Sequence, residues 1–334
     1  MDKGLRSKGT RMQHAEPRGP QLEIRLLGPI EARLGDRPLA LDRLQQRALL
    51  ALLALNANRV VSTDRLIDAL WGERPPATAP VALYGLVSGL RKLLEHDHAG
   101  AVVTKAPGYL LEVSAEQIDL GRFELLAAEG RRALGLGDAE TASARLTEAL
   151  ELWRGPPLQD LQFLPFAQKE VGPLEELRLA VTEARIEADL ARGRYGDLVP
   201  ELESLVAAHP LRERLRGQLM LVLYRAGRQA DALAAYRDAR TVLADELGLE
   251  PSDELQEFER AILRHDPSLG APVLAPADRP RTAPPLGLAR RRRWIALGTV
   301  PVVAVVAVIV LAMTRSDKDA TLRVSANGVG VLEH

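Results

Sequence analysis

Seven residues in the first third of this chain carry groups suited to a polyanion. Arg91-Lys92 and Thr104-Lys105 form two short clusters, and Arg47 stands upstream of them. Guanidinium, ammonium and hydroxyl groups donate to phosphate oxygens, contacts that position a protein on a duplex without reading its sequence. Tyr84 and Ser88 are spaced by about one helical turn, and their hydroxyls suit base edges in a groove. These groups suit a nucleic acid, and which of them would meet one depends on the elements that carry them. Catalytic chemistry finds less to work with. There is no cysteine, which excludes disulfides, thiolate metal sites and cysteine nucleophiles. His96 and His98 flank Asp97, but no third ligand type is placed nearby, and the segment reads as a polar loop before the wing. Gly135-Leu136-Gly137 lacks the preceding strand and the later glycine of a phosphate-binding loop. Glu175, Glu176 and Arg178 interleave as on a solvated helical face. With no nucleophile–base constellation, the expectation is a protein that is not an enzyme and uses no cofactor or metal.

The elements that must position these residues follow from local pattern. Leu22 to Leu27 and Ile30 to Leu34 read as strands, separated by the turn signal Gly28-Pro29. Gly35-Asp36 predicts a hairpin into a third short strand, 38–41. From Arg43 the pattern becomes helical, with Leu49, Leu50, Leu52, Leu53 and Leu55 on one broad face ending at Asn56. Ser62 is a suitable N-cap for a second helix with Leu66, Ile67, Leu70 and Trp71 inward. Pro75-Pro76 breaks the chain, and a third helix is predicted from Thr78 to about Leu94, with Pro80 tolerated in its first turn. Val102 to Lys105, the turn at Ala106-Pro107-Gly108, and Tyr109 to Val113 form a hairpin. Strands, three helices and a hairpin resemble a winged helix of response-regulator type, whose third helix enters the major groove and whose wing touches backbone.

Beyond Asp119 the pattern is helical to about His265. Arg192-Gly193-Arg194-Tyr195 recurs as Ala226-Gly227-Arg228-Gln229, and the two glycines are 34 residues apart, the tetratricopeptide period. Leu233, Ala234 and Tyr236 follow the second turn. Helices at about Phe123–Leu136 and Ala139–Trp153 around Gly137-Asp138 suggest a third, more divergent unit. Such arrays present surfaces to other proteins. Charge separates the two regions: eleven basic and ten acidic residues over 21–115, against nineteen and twenty-nine over 116–266. The helical region is thus unsuited to nucleic acid by bulk charge, and the first region must rely on a few placed cations.

The chain ends predict something different. Residues 1–20 are polar and basic, with no apolar stretch of a signal peptide, and read as a disordered tail. Residues 267–293 are Pro-rich and basic, a linker. Trp294 to Met313 are apolar and uncharged after Arg290, Arg291, Arg292 and Arg293. Length and the basic border predict a single transmembrane helix, with the preceding domains cytoplasmic and a short outer tail at 314–334. The fold class expected is mainly α: an N-terminal winged helix at 21–115 with a short β-sheet and wing hairpin, a tetratricopeptide-like helical domain at 116–266, and a transmembrane helix at 294–313.

Three groups of motifs identify a family. The first is Gln46-Arg47-Ala48-Leu49-Leu50-Ala51-Leu52-Leu53 with Leu66-Ile67-Asp68-Ala69-Leu70-Trp71-Gly72. The second is Val87-Ser88, Leu90-Arg91-Lys92-Leu93-Leu94 and Pro107-Gly108-Tyr109-Leu110-Leu111. The third joins Ala149-Leu150-Glu151-Leu152-Trp153-Arg154-Gly155, Pro165-Phe166-Ala167, Leu174-Glu175-Glu176-Leu177-Arg178, His209-Pro210-Leu211-Arg212-Glu213 and Leu247-Gly248-Leu249-Glu250-Pro251. Over about 22–265 the chain resembles the antibiotic-regulatory-protein family of actinobacterial transcription activators. The resemblance implies a winged helix joined to a bacterial transcriptional activator domain, binding to direct repeats in double-stranded DNA near promoters, and recruitment of RNA polymerase. The chain departs from the family pattern in the recognition helix. Val81, Ala82, Tyr84, Gly85 and Gly89 stand where amides, hydroxyls and Arg are usual, and Gln45 stands where a basic residue is usual. On the matching elements the resemblance implies Tyr84 and Ser88 toward base edges and Arg47, Arg91, Lys92, Thr104 and Lys105 toward phosphate, and these seven are the DNA-binding residues expected. Two functions are expected to compete: a membrane-tethered regulator binding promoter DNA, and a membrane-anchored scaffold whose winged helix has lost sequence-specific binding. Partners expected are DNA, RNA polymerase or another protein, and the membrane, with a homodimer left open.

Overall fold

In a computed structural model of the chain, residues 21–94 and 101–270 are described. Three strands open the fold: β1 (Leu22–Arg25), β2 (Glu31–Leu34) and β3 (Arg37–Pro38), all antiparallel in that order. Leu22 pairs with Leu34 and Ile24 with Ala32, so period-two alternation buries all four on one face. The third strand is shorter than expected and starts earlier, because the chain leaves the ladder after Leu39 N–H donates to Ala32.

Helices α1 (Leu44–Leu55), α2 (Thr63–Trp71) and α3 (Ala79–Leu94) follow. Ser62 caps α2 as expected, its hydroxyl accepting from Arg65 N–H at 3.3 Å. Val61–Ser62 is itself a strand, β4, which pairs with β6 (Gly108–Leu111), and β6 pairs with β5 (Val102–Lys105). Two residues are too few for a periodic signal, so β4 exists only through its partner. That pairing requires glycine: a Cβ on Gly108 would lie 1.9 Å from Val61 O.

The helical region comprises α4 (Asp119–Gly135), α5 (Ala139–Glu151), α6 (Pro165–Ala191), α7 (Leu198–Ala208), α8 (Glu213–Arg225), α9 (Gln229–Leu247) and α10 (Asp253–Leu263). Three of its turns share one closure. Gly137, Gly193 and Gly227 have φ of 80°, 78° and 76°. The next residue donates N–H back five positions each time: Asp138 to Ala133, Arg194 to Asp189, and Arg228 to Leu223. This left-handed glycine closure satisfies carbonyls that the helix end would otherwise orphan.

One apolar core runs from Leu22 to Ala188 across position 115, taking in both sheets, the first three helices, and Phe123, Leu146, Trp153 and Val181. A second core, from Leu179 to Leu269, is built by α7 to α10. The 27-residue α6 belongs to both, giving Leu174, Val181, Ala184 and Ala188 to the first and Leu179, Ile186 and Leu190 to the second.

The seam between winged helix and helices is polar as well as apolar. Asp119 is 2 % exposed, and its carboxylate accepts from Leu26 N–H at 2.7 Å and Leu27 N–H at 2.9 Å. Burial pushes this carboxyl up from its ordinary value, while those two N–H groups, Arg154 and Leu120 N–H pull it back. Arg154 N–H, Leu158 N–H and Gln159 N–H donate to the carbonyls of Leu27, Leu26 and Gly28, and Ile24 forms a parallel bridge with Ile118. Helix α4 starts at Asp119, where the helical pattern begins, and that residue ties the seam.

The expected linker begins inside the fold: Leu269 is buried in the second core and its carbonyl accepts from Arg225 Nε at 2.9 Å. The tails 1–20 and 314–334, residues 271–293 of the expected linker, and the transmembrane helix expected at 294–313 lie outside the described residues. Among the described residues no helix is long and apolar enough to cross a membrane.

Removing the Asp119 carboxylate leaves two buried N–H groups without an acceptor. Asp119→Ala should lower unfolding stability by about 3 kcal/mol in urea, followed by far-UV circular dichroism. Asp119→Asn should recover only part of this, because its amide nitrogen faces a donor.

Candidate nucleic-acid interface

Helix α3 is held by one face. Leu83, Leu86, Val87, Leu90 and Leu94 are buried at three- and four-residue spacing against α1 and α2. The opposite stripe is Val81, Tyr84, Gly85, Ser88 and Lys92. Val81 is 73 % and Tyr84 67 % exposed. Ser88 is half-buried, and Lys92 is the first cation along the stripe.

The wing, β5–β6, is fixed to α3 by Arg91. Arg91 Nε donates to Val102 O at 2.9 Å and its Nη2 to Thr104 Oγ1 at 2.7 Å. The guanidinium also sits 6.0 Å from the centre of the Tyr109 ring. Arg91 is therefore occupied by the wing, while Thr104 and Lys105 are exposed along it.

Arg47 lies elsewhere. Its Nη1 donates to Leu41 O at 2.8 Å, and its Nε lies 3.7 Å from Asp160, whose carboxylate accepts from Ile30 N–H at 3.0 Å. Arg47 thus faces the seam between α1 and the segment after α5. Of the seven candidates, the structure brings together Tyr84, Ser88, Arg91, Lys92, Thr104 and Lys105 on α3 and the wing, and sets Arg47 apart. Asp119, Arg154 and Asp160 were not anticipated as organising residues. Each takes part in no periodic pattern, and the backbone groups of the β1–β2 segment that it bonds are more than ninety positions away in sequence.

The helical region offers another surface. An open cleft of about 720 Å³ lies between α5, α6 and α7, lined in part by Arg178, Arg185, Asp189, Arg194, Glu201 and His209. Its charges are balanced, in keeping with the absence of a basic tract. Among the described residues no three His, Cys, Asp or Glu side chains group as metal ligands. His96, Asp97 and His98 lie outside the described residues.

Comparison with known proteins places these elements. Residues 37–111 match the family described as transcriptional regulatory protein, C terminal, and residues 118–263 match the bacterial transcriptional activator domain. The regulatory protein DnrI of Streptomyces peucetius is 41 % identical over 256 residues, covering 74 % of this chain and 94 % of that protein. The chain belongs to the antibiotic-regulatory-protein family of transcriptional regulators.

Other members of this family are longer. The regulatory protein AfsR of Streptomyces coelicolor is 45 % identical over 258 residues, 77 % of this chain but only 26 % of AfsR. The chain spans 30 % of AfsR of Streptomyces griseus. The structure of Mycobacterium tuberculosis EmbR in complex with a low-affinity phosphopeptide superimposes with a TM-score of 0.72 at 40 % identity, over 74 % of this chain and 66 % of that one. These relatives correct the expected single-pass location in the cell membrane. They are regulatory proteins by name, and no helix of the described residues can cross a bilayer. An apolar run of spanning length is a statement about hydropathy, and hydropathy by itself does not fix where a regulator of this family resides.

Two outcomes test the geometry. Arg91→Ala should speed amide exchange across Val102–Lys105 while costing only about 1 kcal/mol of global stability. Arg91→Lys should not restore protection, because an ammonium cannot make the same forked contact. Gly85 has open space where a Cβ would go, so Gly85→Ala should raise the melting temperature, by about 0.5–1 kcal/mol of stability.

Proposed function

We propose that this chain is a transcriptional activator that binds double-stranded promoter DNA through α3 and the wing, and contacts RNA polymerase or another protein through α4–α10. The observation that carries the reading is the Arg91 bridge. It holds the wing beside the recognition helix, with Tyr84, Ser88 and Lys92 on one element and Thr104 and Lys105 on the other. In this reading α3 enters the major groove, and Lys92, Thr104 and Lys105 contact phosphate. Arg91 and Arg47 act through the parts they hold. The excess of acidic residues over 116–266 favours a protein partner for the helices, whose glycine-closed hairpins form a tetratricopeptide-like surface.

The competing reading is an interaction scaffold whose winged helix no longer selects sequence. The apolar character of the α3 stripe favours it. A mobility-shift titration of the purified chain against its own upstream DNA and random duplex separates the two. Preference for the upstream DNA supports the activator, and equal affinity supports the scaffold. Lys92→Ala and Lys105→Ala should weaken all duplexes about equally, each lowering the slope of log affinity against log salt by up to about 0.9. Tyr84→Ala should change sequence preference more than overall affinity.

A further inference from the structure

We propose that α3 reads thymine methyl groups, so that the preferred duplex is defined by thymines rather than by guanines. The inference rests on the DNA-binding reading above and names what that surface selects.

The first two turns of α3 present Pro80, Val81, Ala82, Tyr84 and Gly85 to solvent, all exposed. Such N-terminal residues of a recognition helix are the ones that meet base edges. Among them there is no guanidinium, ammonium, amide or carboxylate. Reading guanine takes paired donors to its N7 and O6, and reading adenine takes an amide that both donates and accepts. These first two turns supply neither; ahead of Lys92, which lies two turns beyond Tyr84, the hydrogen-bonding groups of the stripe are the single hydroxyls of Tyr84 and Ser88. It does supply apolar surface, two Val81 methyls and the Tyr84 ring. Thymine is the base whose major-groove edge carries a methyl.

The shape agrees with the chemistry. Gly85 follows Val81 by four residues and adjoins Tyr84, and nothing lies within 4 Å of where its Cβ would be. The helix surface is therefore lowered by one side chain between an isopropyl group and an aromatic ring. A C5-methyl fits a depression of that size, and burying one methyl contributes about fourfold in affinity.

The test uses the purified chain and random-duplex libraries amplified with dTTP or with dUTP, which differ only by the methyl. Selection from the dTTP library should enrich thymine at fixed positions, and selection from the dUTP library should lose that enrichment. Replacing single thymines of the selected site by deoxyuridine should weaken binding about fourfold where a methyl is read. Val81→Ala and Tyr84→Ala, both at exposed positions, should flatten the thymine preference while salt-dependent retention of duplex persists. The same motif from both libraries, or a guanine-led motif indifferent to deoxyuridine, overturns the proposal. Salt-dependent retention of both libraries without any enrichment overturns it too, and leaves DNA binding standing. Retention of neither library overturns the DNA-binding reading itself.

Discussion

The buried carboxylate of Asp119 is the constraint on which the arrangement of this molecule depends. It accepts two backbone N–H groups just after β1, from Leu26 and Leu27, which no strand partner serves. A backbone donor buried without an acceptor costs as much as a lost hydrogen bond or more. The first residue of α4 therefore has to sit against the end of β1. Once it does, Arg154 can reach Pro29 O at 2.9 Å and Glu31 at 2.9 Å, and Asp160 can reach Ile30 N–H. The winged helix and the first helical hairpin are in consequence one packed body.

Helix α6 extends that body into the second core, and buried charge fixes its rotation. Glu183 is 2 % exposed and accepts from Arg212 Nε at 2.8 Å. Asp189 accepts from Ser143 Oγ at 2.7 Å and pairs with Arg185 at 3.0 Å. Such pairs add little net stability over apolar packing, but removing one partner leaves a charge stranded. Their value is registry: Glu183 ties α6 to the segment leading into α8, and Asp189 ties it to α5. Arg178, on the same helix, lies 5.0 Å from the centre of the Trp153 ring, closing the seam from the other side.

Rigid coupling gives the proposed function its geometry. A reading helix that shares a core with the helical region cannot reorient independently of the surface that would meet a partner. Orientation on DNA would then set orientation of the activator surface, with no flexible joint between. The wing is secured by the same economy, since Arg91 uses its guanidinium on Val102, Thr104 and Tyr109. In the proposed reading, phosphate contact is left to Lys92, Thr104 and Lys105.

Much of the fold was legible in local pattern. Alternation at Leu22, Ile24, Ala32 and Leu34 gave β1 and β2, and three- and four-residue spacing gave α1 to α3. The recurrence at Gly193 and Gly227 gave the hairpin turns, because only residues tolerant of positive φ close them readily. The motifs also carried the family, and the stripe of α3 could be read by counting turns. What sequence could not decide was which cations the fold engages. Arg47 and Arg91 look like Lys92 and Lys105 in a string of letters. Their difference lies in Leu41 O, Asp160, Val102 O and Thr104 Oγ1, groups that reach them through the tertiary fold. The seam at Asp119 was equally invisible, since the Leu26 and Leu27 N–H groups it serves lie more than ninety residues away and hydrogen bonds carry no periodicity. Local spacing determines which side chains share a face; only tertiary packing determines which of them already have a partner.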